Sequence, residues 1–303
     1  MELCGLEQYC EENKIPYKRN EPMRLHTSFK IGGPADMLVC PLNTRELSAV
    51  LKKCGELSVP FFIIGNGSNL LVSDGGIEGA VISLAGLNRI TVCGEELKCG
   101  AGAMLSAVCK KALDEELTGL EFAYGIPGTV GGALFMNAGA YGGEMSDAVI
   151  SAEYVTADGT AATISAEEMR LGYRKSVFKN GNMIITSVTL RLSKGNRSLI
   201  SEKMQELIMR RKQKQPLEYP SAGSTFKRPV GNYAGALIEK NGLKGLKVGG
   251  AQVSEKHAGF VINLGSATCK DVQALVKKVQ EEVYKGDGVK LEPEIIIVGR
   301  SED

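Results

Sequence analysis

Three short segments carry side chains suited to one kind of chemistry. Gly172-Tyr173-Arg174 offers a guanidinium, Ser221-Ala-Gly-Ser224-Thr-Phe-Lys-Arg228 a hydroxyl, and Leu291-Glu-Pro-Glu294-Ile295 a carboxylate. Together these groups can stabilise a carbanion and then protonate it. A guanidinium keeps its charge and matches a carboxylate with a planar fork. A serine hydroxyl is a weak acid, so it serves only an acceptor as basic as carbon. A serine nucleophile would need a histidine beside it. The chain has two histidines, His26 and His257, and neither is adjacent to Ser224 in sequence, which argues against a triad.

Two glycine loops lie upstream. The first is Gly65-Asn66-Gly67-Ser68-Asn69-Leu70. It lacks the third glycine of a dinucleotide fingerprint, and Leu70-Leu71-Val72 reads as a strand where that fingerprint requires a helix. An anion here would therefore meet a nest of successive backbone N–H groups rather than a helix terminus. Ser68 and Asn69 add side-chain donors; the alternative is an ordinary glycine turn. The second loop is Gly125-Ile126-Pro127-Gly128-Thr129-Val130-Gly131-Gly132. It continues to Asn137-Ala138-Gly139-Ala140-Tyr141-Gly142-Gly143, with seven glycines in nineteen residues. So many small residues in one stretch suit the close approach of something large and flat, such as an isoalloxazine ring with its diphosphate. The alternative is a tightly packed glycine-rich core. No Gly-Lys-Ser/Thr phosphate loop is present, so phosphoryl transfer has no support.

Helices and strands must hold these pieces. Apolar spacing predicts a helix over 44–57 with Thr44 as N-cap, and another over 103–117. Strands are expected at 60–64, 70–72, 81–84, 183–192 and 295–298, with a hairpin from residue 150 that turns at Ala157-Asp158-Gly159. Ser165-Ala-Glu-Glu168 and Thr268-Cys-Lys-Asp271 read as capping boxes, the second opening a helix to about residue 285. Residues 199–214 are helical and charged, and a short helix over 235–241 is closed by Gly242. Helices and strands mix without repeated βαβ units, which defines an α+β class. The polar stretch 193–198 is the expected boundary between a region 1–197 and a domain 198–303.

Bulk properties limit the partners. A net charge of +1 gives nucleic acid or a membrane surface no electrostatic support. No apolar run approaches the ~20 residues of a membrane span, and the opening residues carry no secretory signal pattern. The eight cysteines form no Cys-x-x-Cys pair, so no metal site is expected. They read as reduced, mostly buried thiols of a cytoplasmic protein.

Thr27-Ser-Phe-Lys-Ile-Gly-Gly-Pro-Ala-Asp36, both glycine loops, Gly-Tyr-Arg, Ala-Gly-Ser-x-Phe-Lys and Leu-Glu-Pro-Glu occur in that order. This series resembles the UDP-N-acetylenolpyruvoylglucosamine reductases, bacterial enzymes of peptidoglycan precursor synthesis, from about residue 20 to 299. The resemblance implies a vanillyl-alcohol-oxidase-type FAD-binding region over 1–197, in two subdomains split near 78, and a substrate domain over 198–303. It implies non-covalent FAD, reduced by NADPH, and a UDP-sugar enolpyruvyl ether as acceptor. Flavin contacts fall to Gly65–Leu70, Gly125–Thr129, Gly131, Gly132 and Asn137–Tyr141. Arg174 becomes the electrophile, Ser224 the proton donor and Glu294 the third catalytic position. An ionised carboxylate facing an enolate would repel it, so Glu294 is expected to be protonated or neutralised by Arg174 when hydride moves. Lys214, Lys227 and Arg228 are candidates for the substrate diphosphate. His257, a further substrate-binding candidate, stands where some relatives carry glutamine, and Ile296 where some carry arginine. No counterpart of those relatives' tyrosine-bearing insertion is found, which points to the shorter class.

Overall fold

The computed structural model describes residues 2–301, so Met1 and the last two residues of the expected C-terminal domain lie outside the described residues. The chain forms two compact units. The first comprises 1–19, 37–66 and 79–210; the second comprises 20–36, 67–78 and 211–303.

In the first unit, a five-stranded antiparallel sheet has the order Ala161–Ser165, Val149–Thr156, Met183–Arg191, Glu96–Gly100, Ile90–Cys93. Register shifts at Val149/Ser151 and Glu153/Tyr154 interrupt the strict alternation of the strand Val149–Thr156. Helix α1 (Glu2–Glu12) packs near α2 (Thr44–Glu56), which buries Leu47, Val50, Leu51 and Cys54 at the spacing expected of one helix face. The N-cap of α2 is Asn43 rather than Thr44: its side chain accepts from Glu46 N at 2.9 Å. Strand Phe61–Ile64 runs parallel to the strand Ile77–Ser83. Helix α3 (Leu105–Asp114) buries Leu105, Val108, Cys109 and Ala112, and α4 (Val130–Met136) begins inside the second glycine loop. Residues 166–170 form turns, not the short helix expected from Ser165-x-x-Glu168. Glu168 does accept from Ser165 N at 2.9 Å. Among these five residues only Met169 is buried, so the segment lacks the apolar stripe that anchors a helix.

Helix α5 (Arg197–Lys214) starts at the expected boundary and crosses the cut at 210/211. Its Ile200 and Met204 enter the first unit's core, which shifts the break beyond 198. A cut also falls at 78/79, but residues 67–78 pack with the C-terminal residues.

The second unit wraps a small antiparallel sheet, Lys247–Val248, Ala251–Val253 and Val261–Asn263, with α6 (Ala234–Lys240) and α7 (Cys269–Asp287). Helix α7 carries its expected Thr268/Asp271 capping box, buries Val272, Leu275, Val276, Val279 and Val283, and ends at Gly288 in the left-handed region. Asp74 adds a carboxylate to the same helix start, accepting from Cys269 N at 2.9 Å and Lys270 N at 3.2 Å. Strand Ile296–Val298 pairs in parallel with Leu70–Val72. Ser28 Oγ donates to Ser221 O at 2.7 Å, Asn263 Nδ2 to Phe29 O at 3.1 Å, and Arg300 grips Asp36 at 2.7 and 2.8 Å. These bonds tie the early segments of the second unit to its late ones.

Candidate active site

The first unit holds the glycine loops' small-residue cavity. Strand Phe61–Ile64 delivers Gly65 and Asn66 to it, and Asn66 Nδ2 donates to Pro127 O at 2.6 Å, joining the two loops. The second loop is pinned to the chain before α3: Val130 N donates to Ala103 O at 2.8 Å, and Gly131 N to Ala101 O at 2.9 Å. A cavity of about 330 Å³ opens between them, lined by Gly65, Asn66, Gly102, Ala103, Ala107 and Thr129 among others. That size lies at the lower end of small-molecule sites, roughly 300–1,000 Å³. Its bare backbone and short side chains fit a planar ring or one half of a dinucleotide. A Cβ on Gly65 would stand 2.7 Å from Thr129 Oγ1, so the two loops meet at van der Waals limits.

Several loop residues are engaged in the protein's own structure. Thr129 Oγ1 caps α4, accepting from Gly132 N at 3.3 Å. A Cβ on Gly131, Gly139 or Gly143 would come within 2.7 Å of Ala101, the backbone of Gly143 or the Phe122 ring, respectively. The glycine content here thus serves internal packing at least in part. Gly139–Ala140 and Gly143–Glu144 pair as a minimal hairpin. At its tip Tyr141 and Gly142 both have positive φ, 54° and 91°, and Tyr141 lies under the Arg210 guanidinium at 5.3 Å. Ala138 and Ile126 are half-buried and Gly128 is buried. Asn137 is fully buried in the left-handed region. Its amide donates to Gly172 O at 3.1 Å and accepts from Ser146 N at 2.9 Å. This candidate for the flavin or the sugar thus bonds protein through both ends of its amide.

Arg174 follows Gly172 in a tight turn with φ +53°. A non-glycine residue there stores strain of about 1–3 kcal/mol. Gly172 and Lys175 exchange backbone hydrogen bonds at 3.1 and 3.0 Å, and the Arg174 guanidinium lies 5.1 Å from the Tyr173 ring.

The second unit holds the other two catalytic candidates, and it brings them together. Glu294 N donates to Thr225 O at 2.8 Å, Lys227 N to Glu292 O at 2.8 Å, and Phe226 bridges Pro293. This antiparallel pairing sets the Ser224 and Glu294 segments side by side. Thr225, buried between them, anchors the pair: its N donates to Gly259 O at 2.8 Å, and its Oγ1 accepts from Val261 N at 2.9 Å. Ser224 is half-buried, and its Oγ lies 3.3 Å from Phe226 O. From the first glycine loop, Gly67 takes φ +59°, and a Cβ on it would stand 2.1 Å from His26 O. Ser68 is half-buried and Leu70 begins the strand Leu70–Val72. Asn69 Nδ2 donates to Glu294 O at 3.2 Å.

The peripheral candidates differ from one another. Lys227 is paired with Glu292 at 3.0 Å, and Arg228 stacks on Tyr233 at 4.7 Å. Lys214 is exposed in the last turn of α5. His257 is half-buried against Phe260, with Nδ1 accepting from Gly259 N at 3.1 Å, so Nε2 carries the proton of the neutral ring. Burial, aided by Lys244 and Lys214, holds its pKa below the usual histidine value. The bonds of Asn69 and Asn137 gave no signal in the sequence. Ser176 and Lys179, close behind Arg174, were visible there but carried no recognisable role.

The fold and the glycine loops place the chain among α+β FAD-binding proteins: a model of an FAD binding domain matches residues 35–165. A model of the C-terminal domain of UDP-N-acetylenolpyruvoylglucosamine reductase matches residues 215–298. The reductase of that name from Caldanaerobacter subterraneus subsp. tengcongensis is 51% identical over 97% of both chains. That from Clostridium perfringens strain SM101 is 50% identical over 93% of this chain and 92% of its own. The crystal structure of the Thermus caldophilus enzyme superposes with a TM-score of 0.81 at 38% identity, covering 93% of this chain and 98% of that one. The chain belongs to the UDP-N-acetylenolpyruvoylglucosamine reductase family. Berberine bridge enzyme from Eschscholzia californica, at 18% identity and a TM-score of 0.50 over 63% of this chain and 44% of its own, shares the fold alone.

Proposed function

We propose that this chain reduces the enolpyruvyl ether of UDP-N-acetylglucosamine to UDP-N-acetylmuramate for peptidoglycan synthesis, with non-covalent FAD and with NADPH as donor. Bound flavin supplies the hydride relay; the protein must hold it and manage the charge that hydride addition creates. Gly65, Asn66, Ile126–Thr129 and Gly131–Gly132 are the first-unit residues proposed to hold it.

Hydride addition to the terminal methylene leaves charge on the neighbouring carbon and its carboxylate. Arg174 meets that carboxylate, Ser224 Oγ–H delivers the proton to carbon, and Glu294 completes the set. The single observation that carries this reading is the antiparallel pairing of the segments 224–227 and 292–294, which lays the backbone around Ser224 alongside that around Glu294 in one unit. Lys214, Lys227 and Arg228 are proposed for the diphosphate, with Lys227 leaving Glu292 to reach it. The first unit is assigned to the cofactor and the second mainly to the sugar nucleotide. The compartment proposed is the cytoplasm, where thiols such as Cys10, Cys54, Cys99 and Cys109 stay reduced.

The test is a titration followed by colour. Purified protein should be yellow, bleach with NADPH, and regain colour when the enolpyruvyl sugar nucleotide is added. Ser224→Ala should bleach normally and lose about 10²–10⁴ in the recovery rate; Arg174→Lys should lose about 10²–10³. A colourless protein that takes up no FAD would reduce the chain to a nucleotide-binding module. Recovery driven by oxygen and an alcohol cycle would make it an oxidase.

A further inference from the structure

The turn that presents Arg174 closes on itself through Gly172 and Lys175 and is also braced from outside. Three side chains join it to the C-terminal end of α4. Asn137 Nδ2 donates to Gly172 O at 3.1 Å, Ser176 Oγ to Phe135 O at 2.6 Å, and Lys179 Nζ to Arg174 O at 2.7 Å, with the Lys179 ammonium 5.8 Å from the centre of the Phe135 ring. Asn137 and Ser176 are both buried, 0% and 5% exposed, while Lys179 lies at the surface. Every bond falls on backbone carbonyls of either the turn or the helix end, so the three side chains fix main chain and not merely side-chain packing. The residue they surround has φ +53°, a conformation that arginine does not hold without support.

We infer that Asn137, Ser176 and Lys179 are positioning residues for Arg174, holding its strained turn against α4 so that the guanidinium is aimed before substrate arrives. The inference rests on the charge-stabilising role given to Arg174. Preorganisation of this kind matters because a misplacement of about 1 Å can cost roughly 10²-fold in rate.

The variants are Ser176→Ala and Lys179→Met, with Ser176→Thr and Lys179→Arg as conservative rescues. Lys179 is exposed, so its variant keeps the test decisive should Ser176→Ala not fold. Two half-reactions are timed by rapid mixing: bleaching by NADPH and recovery with the enolpyruvyl sugar nucleotide. Recovery should slow about 10- to 100-fold, while bleaching and FAD retention change less than about twofold and the rescues return most of the rate. In substrate-free protein, trypsin should cut after Arg174 or Lys175 at least about tenfold faster in the variants, since a released turn opens more often. Parallel loss in both half-reactions together with FAD would mean a general structural role and overturn the inference, as would unchanged recovery or unchanged proteolysis. Arg174→Lys is the control: if it recovers like wild type, the catalytic role of Arg174 falls, whatever the braces do to trypsin.

Discussion

Asn69 and Glu294, 225 residues apart, are joined by a hydrogen bond from the Asn69 amide to the Glu294 carbonyl oxygen at 3.2 Å. One step further, Ile296 N donates to Asn69 O at 2.9 Å, and the parallel pairing of 70–72 with 296–298 continues from there. The first glycine loop therefore does two jobs. Its glycines leave backbone bare, and its last asparagine fixes the segment that leads from Glu294, the proposed third catalytic position, into the strand Ile296–Val298. Asn69→Ala should lower stability by about 0.5–1.5 kcal/mol and slow flavin reoxidation by substrate more than reduction by NADPH. Denaturant melts and the two half-reaction rates check this; equal effects on both rates would refute the link to Glu294.

Gly67 tolerates no side chain. Its φ is +59°, and an added Cβ would lie 2.1 Å from the His26 carbonyl oxygen, which belongs to backbone and cannot swing away. Gly67→Ala should destabilise the fold by more than about 1 kcal/mol and release FAD on gel filtration. A variant that melts with wild type and elutes yellow would show that the loop can move.

His257 should impose a pH dependence. Its folded pKa lies below 6.5, chiefly through burial, so the unfolded chain takes up its proton first as pH falls. The contribution of the neutral ring is fully present above about pH 6.5 and is lost as pH drops through the folded value. His257→Gln should flatten the fall in Tm between about pH 7.5 and 5. Superimposable Tm–pH curves for variant and wild type would remove the effect.

Thiol reactivity should divide the cysteines. Cys4 and Cys93 are exposed, whereas Cys10, Cys99 and Cys109 are buried with pKa values raised to about 12, and Cys54 to about 11. Thiolate is the reacting form. An aromatic disulfide reagent should titrate Cys4 and Cys93 quickly in native protein, Cys40 more slowly, and the buried thiols only after denaturation. Rapid labelling of Cys99 or Cys109 would contradict the packing.

Local signals in the sequence located α2, α3, α5 and α7 because each carries an apolar face, a cap or a glycine stop within its own residues. The cap of α2 slipped by one residue because Asn43 and Thr44 are both competent and only the turn's geometry selects between them. The strand Tyr17–Pro22 escaped notice: Lys18, Arg19 and Asn20 are exposed and a proline ends it, so it offers no alternation. The assignment of 20–36 and 67–78 to the second unit had no local signal, because it rests on distant partners such as Ser28 with Ser221 and Asp74 with the start of α7. For the proposed site, the family resemblance rather than residue type alone pointed to Arg174, Ser224 and Glu294, and neither gave a hint that Asn69 and Asn137 bond protein backbone.

Helix α4 spans only seven residues, about 10 Å at 1.5 Å per residue. Thr129, on the wall of the small-residue cavity, caps its start, and Asn137, bonded to the turn of Arg174, closes its end. It acts as a rigid ruler whose two marks cannot be shifted independently. One residue inserted into it would swing the far mark by about 100°, so natural variation in chain length should be tolerated in the hairpin tip at Tyr141 and rejected here.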